Sequence, residues 1–370
     1  MTNDLITRRQ SAAMRGIAIL AIILHNYTHW LGPMVKENEY TFSRHNVGRM
    51  LSEAAQPSWD IVAHLLSFFG HYGVPVFVFL SAYGLVMKYE GGASHATMPR
   101  PAGKEESAWT FTRKHFKKLW IMMAVGYTAF ILVDYMTPGP YRYTFWNVVG
   151  QLGLFSNLYA DPDHAIWPGP YWYFGLTMQL YLVYRFLLYP GKTSLCGYLS
   201  ARWRVYIPVI ITAGCIAVQL SLDPMGKSLN WFRYNCFGNL PVFAMGVLYA
   251  RMVRHREISR AMYAATALAA TLGVAVCSLD FTLWTFAPFF VCIGAATLVR
   301  ALPETLLSPL AWTGGISAAM FVCHPVARKV IIPISRHGEI YAGLLLYIMA
   351  TIILAIIFRK VTDIVSEYMK

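Results

Sequence analysis

The chain has 370 residues, 56% of them hydrophobic and only 13% charged, with a mean hydropathy of +0.44. Soluble domains carry ~25% charged residues, so these values exclude a water-soluble globule and point to a polytopic all-α membrane protein. The net charge of +13 lies at the ends of apolar runs, where bilayer orientation and anionic headgroups account for it, and no nucleic-acid partner is expected.

The first apolar run, 12–32, has no small-residue cleavage site after it and reads as a retained span. A mixed-charge loop, 33–59, precedes the run 60–88, whose Gly70-His71-Tyr72-Gly73-Val74-Pro75 marks a break before the span 73–88. A third span at 116–135 opens on Arg113-Lys114-His115-Phe116-Lys117-Lys118. The stretch 137–165 is aromatic and rich in Pro and Gly, with an amphipathic segment suited to the membrane interface. Tyr171-Trp172-Tyr173 opens the fourth span, 170–189, and further runs fall at 204–222, 231–250, 259–279, 281–300, 311–332 and 340–358.

About ten spans result, with both termini cytoplasmic and the whole chain, 1–370, read as a single integral membrane domain. With that orientation alternate loops hold about 21 cations on the inner side and about nine outside. The inner clusters are Arg113–Lys118, Arg202/Arg204 and Arg251/Arg254/Arg256/Arg260; Arg328, Lys329 and Arg336 form the exception, on a nominally outer loop. No internal repeat is evident, which speaks against paired transporter halves. Six cysteines without a C-x-x-C pair indicate neither a disulfide framework nor a zinc site.

His25 is the sharpest candidate for chemistry. A neutral imidazole at membrane depth is costly unless it has a role, and it is available as a general base. Ten helical residues place Arg15 ~15 Å from His25 along the axis, Arg15 at one membrane face and His25 near the midplane. Asn26 and His29 extend the polar face, although His25 and His29 lack an acidic or thiolate partner for a metal, and none is expected. Arg15 and the Arg113–Lys118 cluster share a side and make an electropositive mouth suited to phosphates. A nucleotide-headed donor with a long arm, such as a coenzyme A thioester, matches that layout. Trp172 and Tyr173 offer rings for stacking on a sugar, and His324 before Pro325 adds a further polar candidate. Arg233, Asn235 and Asn239 face a cavity or snorkel to the interface. No G-x-S-x-G, Walker-type loop or paired-carboxylate constellation supports a hydrolase or ATPase.

The run Arg15-Gly16-Ile17 leading to His25 resembles the opening of the acyltransferase-3 family of integral membrane acyltransferases, in which a basic residue stands ten positions before a His. Gly73-Val74-Pro75-Val76-Phe77-Val78-Phe79-Leu80-Ser81-Ala82-Tyr83-Gly84 is similar to the family's second-span pattern, with Ala82 in place of a Gly. Phe116-Lys117-Lys118-Leu119-Trp120 after Arg113-Lys114-His115 resembles its basic third-span opening, where the usual Arg-x-x-Arg is reduced to His115-x-x-Lys118 or Lys114-x-x-Lys117. Trp172 in 171–180, the segment 240–246, and Gly314-Gly315-Ile316-Ser317 leading to Cys323-His324-Pro325 are similar to later family segments in the same order.

The resemblance implies O-acylation, commonly acetylation from cytosolic acetyl-CoA or another acyl-CoA, of a glycan or glycolipid at a bacterial inner membrane. It implies His25 as the base and Arg15 as its basic partner, catalytic or donor-binding, with Lys114, His115, Lys117 and Lys118 toward the donor. Asn26, His29, Trp172, Tyr173 and His324 fall to the acceptor. Direct transfer and an acyl-His25 intermediate both fit. The alternative is a transporter or flippase of an acyl donor or lipid-linked sugar, with Arg15 and His25 as gate or proton relay.

Overall fold

The computed structural model describes residues 6–91, 106–191, 194–200, 202–253 and 258–369, and every regular element among them is helical. The first helix, α1 (Arg8–Thr28), begins with a capping box: the Thr7 hydroxyl accepts from the Gln10 N–H at 3.1 Å and the Gln10 side chain from the Thr7 N–H at 3.0 Å. It ends where Asn26 and Thr28 turn their side chains back onto the carbonyls of Ile22 and Leu24. After α2 (Arg44–Ala55), α3 (Ile61–Phe69) runs through a single 3₁₀ turn, Gly70–Tyr72, into α4 (Gly73–Tyr89). The break expected around Gly70–Pro75 is therefore a tightened turn within one long helical stretch.

The remaining long helices are α5 (Ala108–Met136), α6 (Trp172–Val183), α7 (Trp203–Leu220), α8 (Cys236–Met252), α9 (Arg260–Cys277), α10 (Ala287–Ala301), α11 (Glu304–Gly315), α12 (Ser317–Ser335) and α13 (Ile340–Tyr368). Six stretches are long and apolar enough to cross a bilayer: Ile61–Tyr89, Ala108–Met136, Trp203–Leu220, Arg260–Cys277, Ser317–Ser335 and Ile340–Tyr368. The expected ten requires α1, α6, α8 and α10 to cross as well. Three predicted runs prove to be interrupted. One, 281–300, divides after a single turn, Phe281–Trp284, before α10. The run 231–250 breaks at Asn235, whose amide donates to the carbonyls of Asn157 and Trp231 instead of lying idle on a helix. The run 311–332 is the junction of α11 and α12, broken at Ile316 after two glycines that hold a helix weakly.

α1 is the central helix, packed against α3, α4, α11 and α12. Its contact with α11 is backbone on backbone: a Cβ on Gly16 would strike the Leu310 carbonyl, and one on Gly314 the Ala12 carbonyl. Arg8 of α1, the close of α4 and the opening of α5 gather at one end of the bundle, where Tyr89 OH lies 3.1 Å from His115 Nε2. Lys117 donates to the Met369 carbonyl, which brings the close of α13 to this end as well. Glu90 and Arg251 join α4 to α8 there by a buried two-pronged ion pair, 2.9 Å in each arm. Arg251 is thus a structural cation, while Arg254 and Arg256 lie outside the described residues.

The cations expected on a loop at the opposite end lie within a helix or directly after it. Arg328 and Lys329 sit inside α12, and Arg336 follows it and donates to the Trp30 carbonyl at 3.4 Å. Lys329 Nζ lies 2.7 Å from Oδ1 of the buried Asp134 of α5, which neutralises it locally.

Candidate active site

His25 stands in the last turn of α1, three residues before Thr28, and not halfway along it. The apolar run 12–32 suggested a midplane position, but the helix starts at Arg8 and stops at Thr28, which moves the imidazole to one end. Its Nδ1 is 2.9 Å from the Ser67 carbonyl oxygen. A carbonyl only accepts, so Nδ1 carries the proton and Nε2 keeps a lone pair, the tautomer of a general base. Ser67 is held in turn by its hydroxyl, which donates to the Val35 carbonyl at 2.6 Å. Gly70 lets this layer lie against α1: a Cβ there would come within 2.6 Å of both the Ala21 carbonyl and His25 Cβ.

His25 borders a cavity of about 260 Å³. The His29 ring is 5.0 Å from that of His25, and the His71 ring is 5.7 Å away, buried, with neither nitrogen hydrogen-bonded among the described residues. Asn26 Oδ1 accepts from Arg328 Nη1 at 2.8 Å, and the guanidinium rests over Trp30 at 5.0 Å. Arg328 is 6% exposed, and no carboxylate pairs with it among the described residues. Such a buried, unneutralised guanidinium is costly.

The opposite wall is aromatic. Tyr40 stacks on Tyr234 with centroids 3.8 Å apart, and Trp172 sets its edge to both at 5.3 and 5.5 Å. Asn157 fixes this wall by donating to the carbonyls of Trp172 (2.8 Å) and Tyr234 (2.7 Å). Two acids complete it. Asp163 accepts from the Tyr234 hydroxyl and from Asn230 Nδ2, and burial pushes the Glu39 carboxyl up to about 7. Arg233 neither faces the cavity nor snorkels: its Nε donates to the Glu39 carbonyl at 2.8 Å and its Nη1 to Gly238, pinning the loop that carries Glu39 and Tyr40. Asn239 supports it from behind, donating to the Arg233 carbonyl.

Arg15 opens on a different cavity, of about 600 Å³, at the other end of α1. Arg8, Arg15 and Lys88 line it, and no acid does among the described residues. Lys114, His115, Lys117 and Lys118 share this end without lining the cavity. Lys114 pairs with Glu106 at 3.7 Å, and His115 and Lys117 are engaged with Tyr89 and Met369.

Asn26, His29, Trp172 and Tyr173 meet His25 at one cavity. His324 does not line it. It lies behind Phe321, its Nδ1 2.8 Å from the Phe321 carbonyl and its Nε2 without a partner among the described residues. Sequence reasoning missed Arg328, Tyr40, Tyr234 and the Glu39–Asp163 pair of walls. Only Arg328 left a trace there, as a cation on the wrong side of the charge count. No group of three or more His, Cys, Asp or Glu side chains is placed to hold a metal among the described residues.

A helical bundle of this kind, with a tautomer-fixed His at one end of its central helix and a basic cavity at the other, has the layout of a membrane-embedded group-transfer enzyme. The family model described as "Acyltransferase domain" (Acyl_transf_3) matches residues 11–360, nearly the whole chain, and the protein belongs to this acyltransferase-3 family of membrane acyltransferases. No curated protein and no solved structure matches it.

Proposed function

We propose that the protein transfers an acyl group, acetyl in the simplest case, from cytosolic acyl-CoA to a hydroxyl of a glycan or glycolipid, with His25 as general base. The observation that carries this reading is the hydrogen bond from His25 Nδ1 to the Ser67 carbonyl, which leaves Nε2 basic beside a cavity walled by Trp172, Tyr40 and Tyr234. Aromatic faces and flanking acids suit a sugar, whose C–H faces stack and whose hydroxyls donate to carboxylates.

In the reaction the acceptor hydroxyl gives its proton to His25 Nε2 as its oxygen bonds to the thioester carbonyl carbon. Collapse of the tetrahedral intermediate breaks the C–S bond, and the imidazolium returns its proton to the departing thiolate. Positioning of the two substrates against one imidazole supplies the main acceleration. Arg15, with Arg8 and Lys88, holds the donor's phosphates at the other end, and the Lys114–Lys118 segment adds to the positive field there. The same reading puts the Arg15 end and both termini in the cytoplasm, makes 1–370 one functional unit of ten crossings, and suits a bacterial inner membrane.

The test is purified protein with labelled acetyl-CoA and a mixed glycan extract. Acceptor-dependent CoA release with label on the glycan is the expected result. His25→Ala should lower the rate at least a hundredfold, within the usual range for a lost acid–base group. A folded His25→Ala protein that transfers at the wild-type rate removes His25 from the chemistry, and acyl-CoA binding without turnover in the wild type favours a transporter.

A further inference from the structure

A second cavity, of about 200 Å³, adjoins the first and shares with it Trp30, Trp167 and Arg328. Its charge is of one sign. Arg328, Lys329 and Arg336 line it, and no carboxylate does among the described residues. Lys329 is neutralised from beneath by Asp134, which is fully buried, and it also donates to the Gly139 carbonyl at 3.1 Å. Among the described residues, Arg328 and Arg336 have only neutral partners: the Asn26 amide oxygen, the Trp30 ring and the Trp30 carbonyl. Two uncompensated guanidinium groups therefore converge on one pocket, and one of them is buried. By contrast, two acids, Glu39 and Asp163, line the His25 cavity.

We infer that the pocket formed by Arg328, Arg336 and the Trp30–Trp167 wall binds an anionic group, phosphate or carboxylate, carried by the acceptor whose hydroxyl is offered to His25. Guanidinium forks match the paired oxygens of either anion, and filling the site removes the penalty of a buried unpaired charge. The shared Arg328 makes the anion and the reacting hydroxyl neighbours on one saccharide or on adjacent units. The inference rests on the acyl-transfer reading for the acceptor's role, while anion binding itself does not depend on turnover.

Trp30 and Trp167 border the pocket, so tryptophan fluorescence reports its occupancy. The full-length protein in phosphatidylcholine nanodiscs is titrated with methyl glucuronide, glucose 1-phosphate and, as the uncharged control, methyl glucoside. A saturable response to at least one anionic probe is expected, with methyl glucoside at least roughly tenfold weaker. Arg328→Gln and the exposed Arg336→Gln should each weaken the anion roughly tenfold. His25→Ala should keep the anion response, so loss of acyl transfer and loss of anion binding are seen separately. Equal affinity for charged and neutral probes, or indifference to both arginine substitutions, overturns the inference. Phosphatidylglycerol nanodiscs supply the remaining arm: fluorescence that responds to the anionic lipid and to neither soluble anion gives the pocket to a lipid headgroup and overturns its assignment to the acceptor.

Discussion

A backbone carbonyl at Ser67 does for His25 what a carboxylate does in many acid–base pairs: it fixes the tautomer without adding a charge. That suits a low-dielectric setting, where an additional buried anion would itself need compensation. The one strongly buried acid of the adjoining loop, Glu37, shows that need. It is 3% exposed, and neither carboxylate oxygen makes a hydrogen bond of good geometry, although the N–H groups of Asn38 and Ser43 and the Asn46 side chain face it. Burial pushes its carboxyl up from 4.5 to about 7. Between those values the folded protein holds a proton that the unfolded chain has lost, so this group's effect on stability becomes increasingly unfavourable as pH rises through the window. The upper bound is about 3 kcal/mol, fully expressed above pH ~7. Glu37→Gln should therefore raise the thermal unfolding midpoint by a few degrees at pH 8 and leave it nearly unchanged at pH 5. An equal shift at both pH values would mean that packing and not ionisation is responsible.

Packing of whole elements explains why the site sits where it does. The Gly70–Tyr72 turn lies so close to α1 that a methyl at Gly70 meets the Ala21 carbonyl and His25 Cβ at 2.6 Å, neither of which can rotate aside. Gly70→Ala should destabilise by about 1–3 kcal/mol, the range for overpacking. By carrying Ser67 away from His25 it should also reduce acyl transfer at least tenfold, though Gly70 is not in the proposed acceptor wall. Gly48→Ala on α2 is the control, since a methyl there meets nothing within 4 Å, and it should leave thermal stability and turnover unchanged or slightly improved. Much of this was legible in the sequence: hydrophobic length gave the long helices, and Arg15, His25, Asn26 and His29 declare themselves as polar residues in an apolar run. Trp172 and Tyr173 announced one aromatic wall. Tyr40, Glu39 and Asp163 did not, because they reach the cavity from a loop and from a single helical turn, Pro162–Ala165, between the long helices, and the loop's path is set by distant contacts such as Arg233 to the Glu39 carbonyl. The junction at Ile316 was hidden for a related reason, since apolar periodicity continues across it while the two glycines change direction.

Across the whole molecule, the two cavities lie on one seam. Arg8, Ser11, Arg15, Ile22 and Asn26 recur at helical spacing on α1, so one face of that helix borders both cavities, and α4 reaches both as well, through Val74 at one and Leu80, Gly84 and Lys88 at the other. The cavities share no lining residue. Between Arg15 and Ile22 the seam is filled by buried Ala18 and Ile19, and between Val74 and Leu80 by Phe77, whose ring sets its edge to Tyr173 at 6.4 Å. This layer is ~10 Å thick. In the proposed reaction the donor's arm has to cross it to bring the thioester from Arg15 to His25, and the same layer keeps water on the Arg15 side away from the base. Phe77→Ala would thin the layer from within. It is expected to raise CoA release in the absence of acceptor several-fold, since water then competes for the acyl group, while acceptor-dependent transfer falls or holds. Ser81→Leu, one turn further along the same face of α4, is expected to do the reverse, blocking transfer while acyl-CoA still binds at the Arg15 end. Thiol release with and without glycan, measured beside equilibrium binding of labelled acyl-CoA, separates the two outcomes. If both substitutions leave the coupling between CoA release and glycan labelling intact, the donor does not travel along the α1–α4 seam.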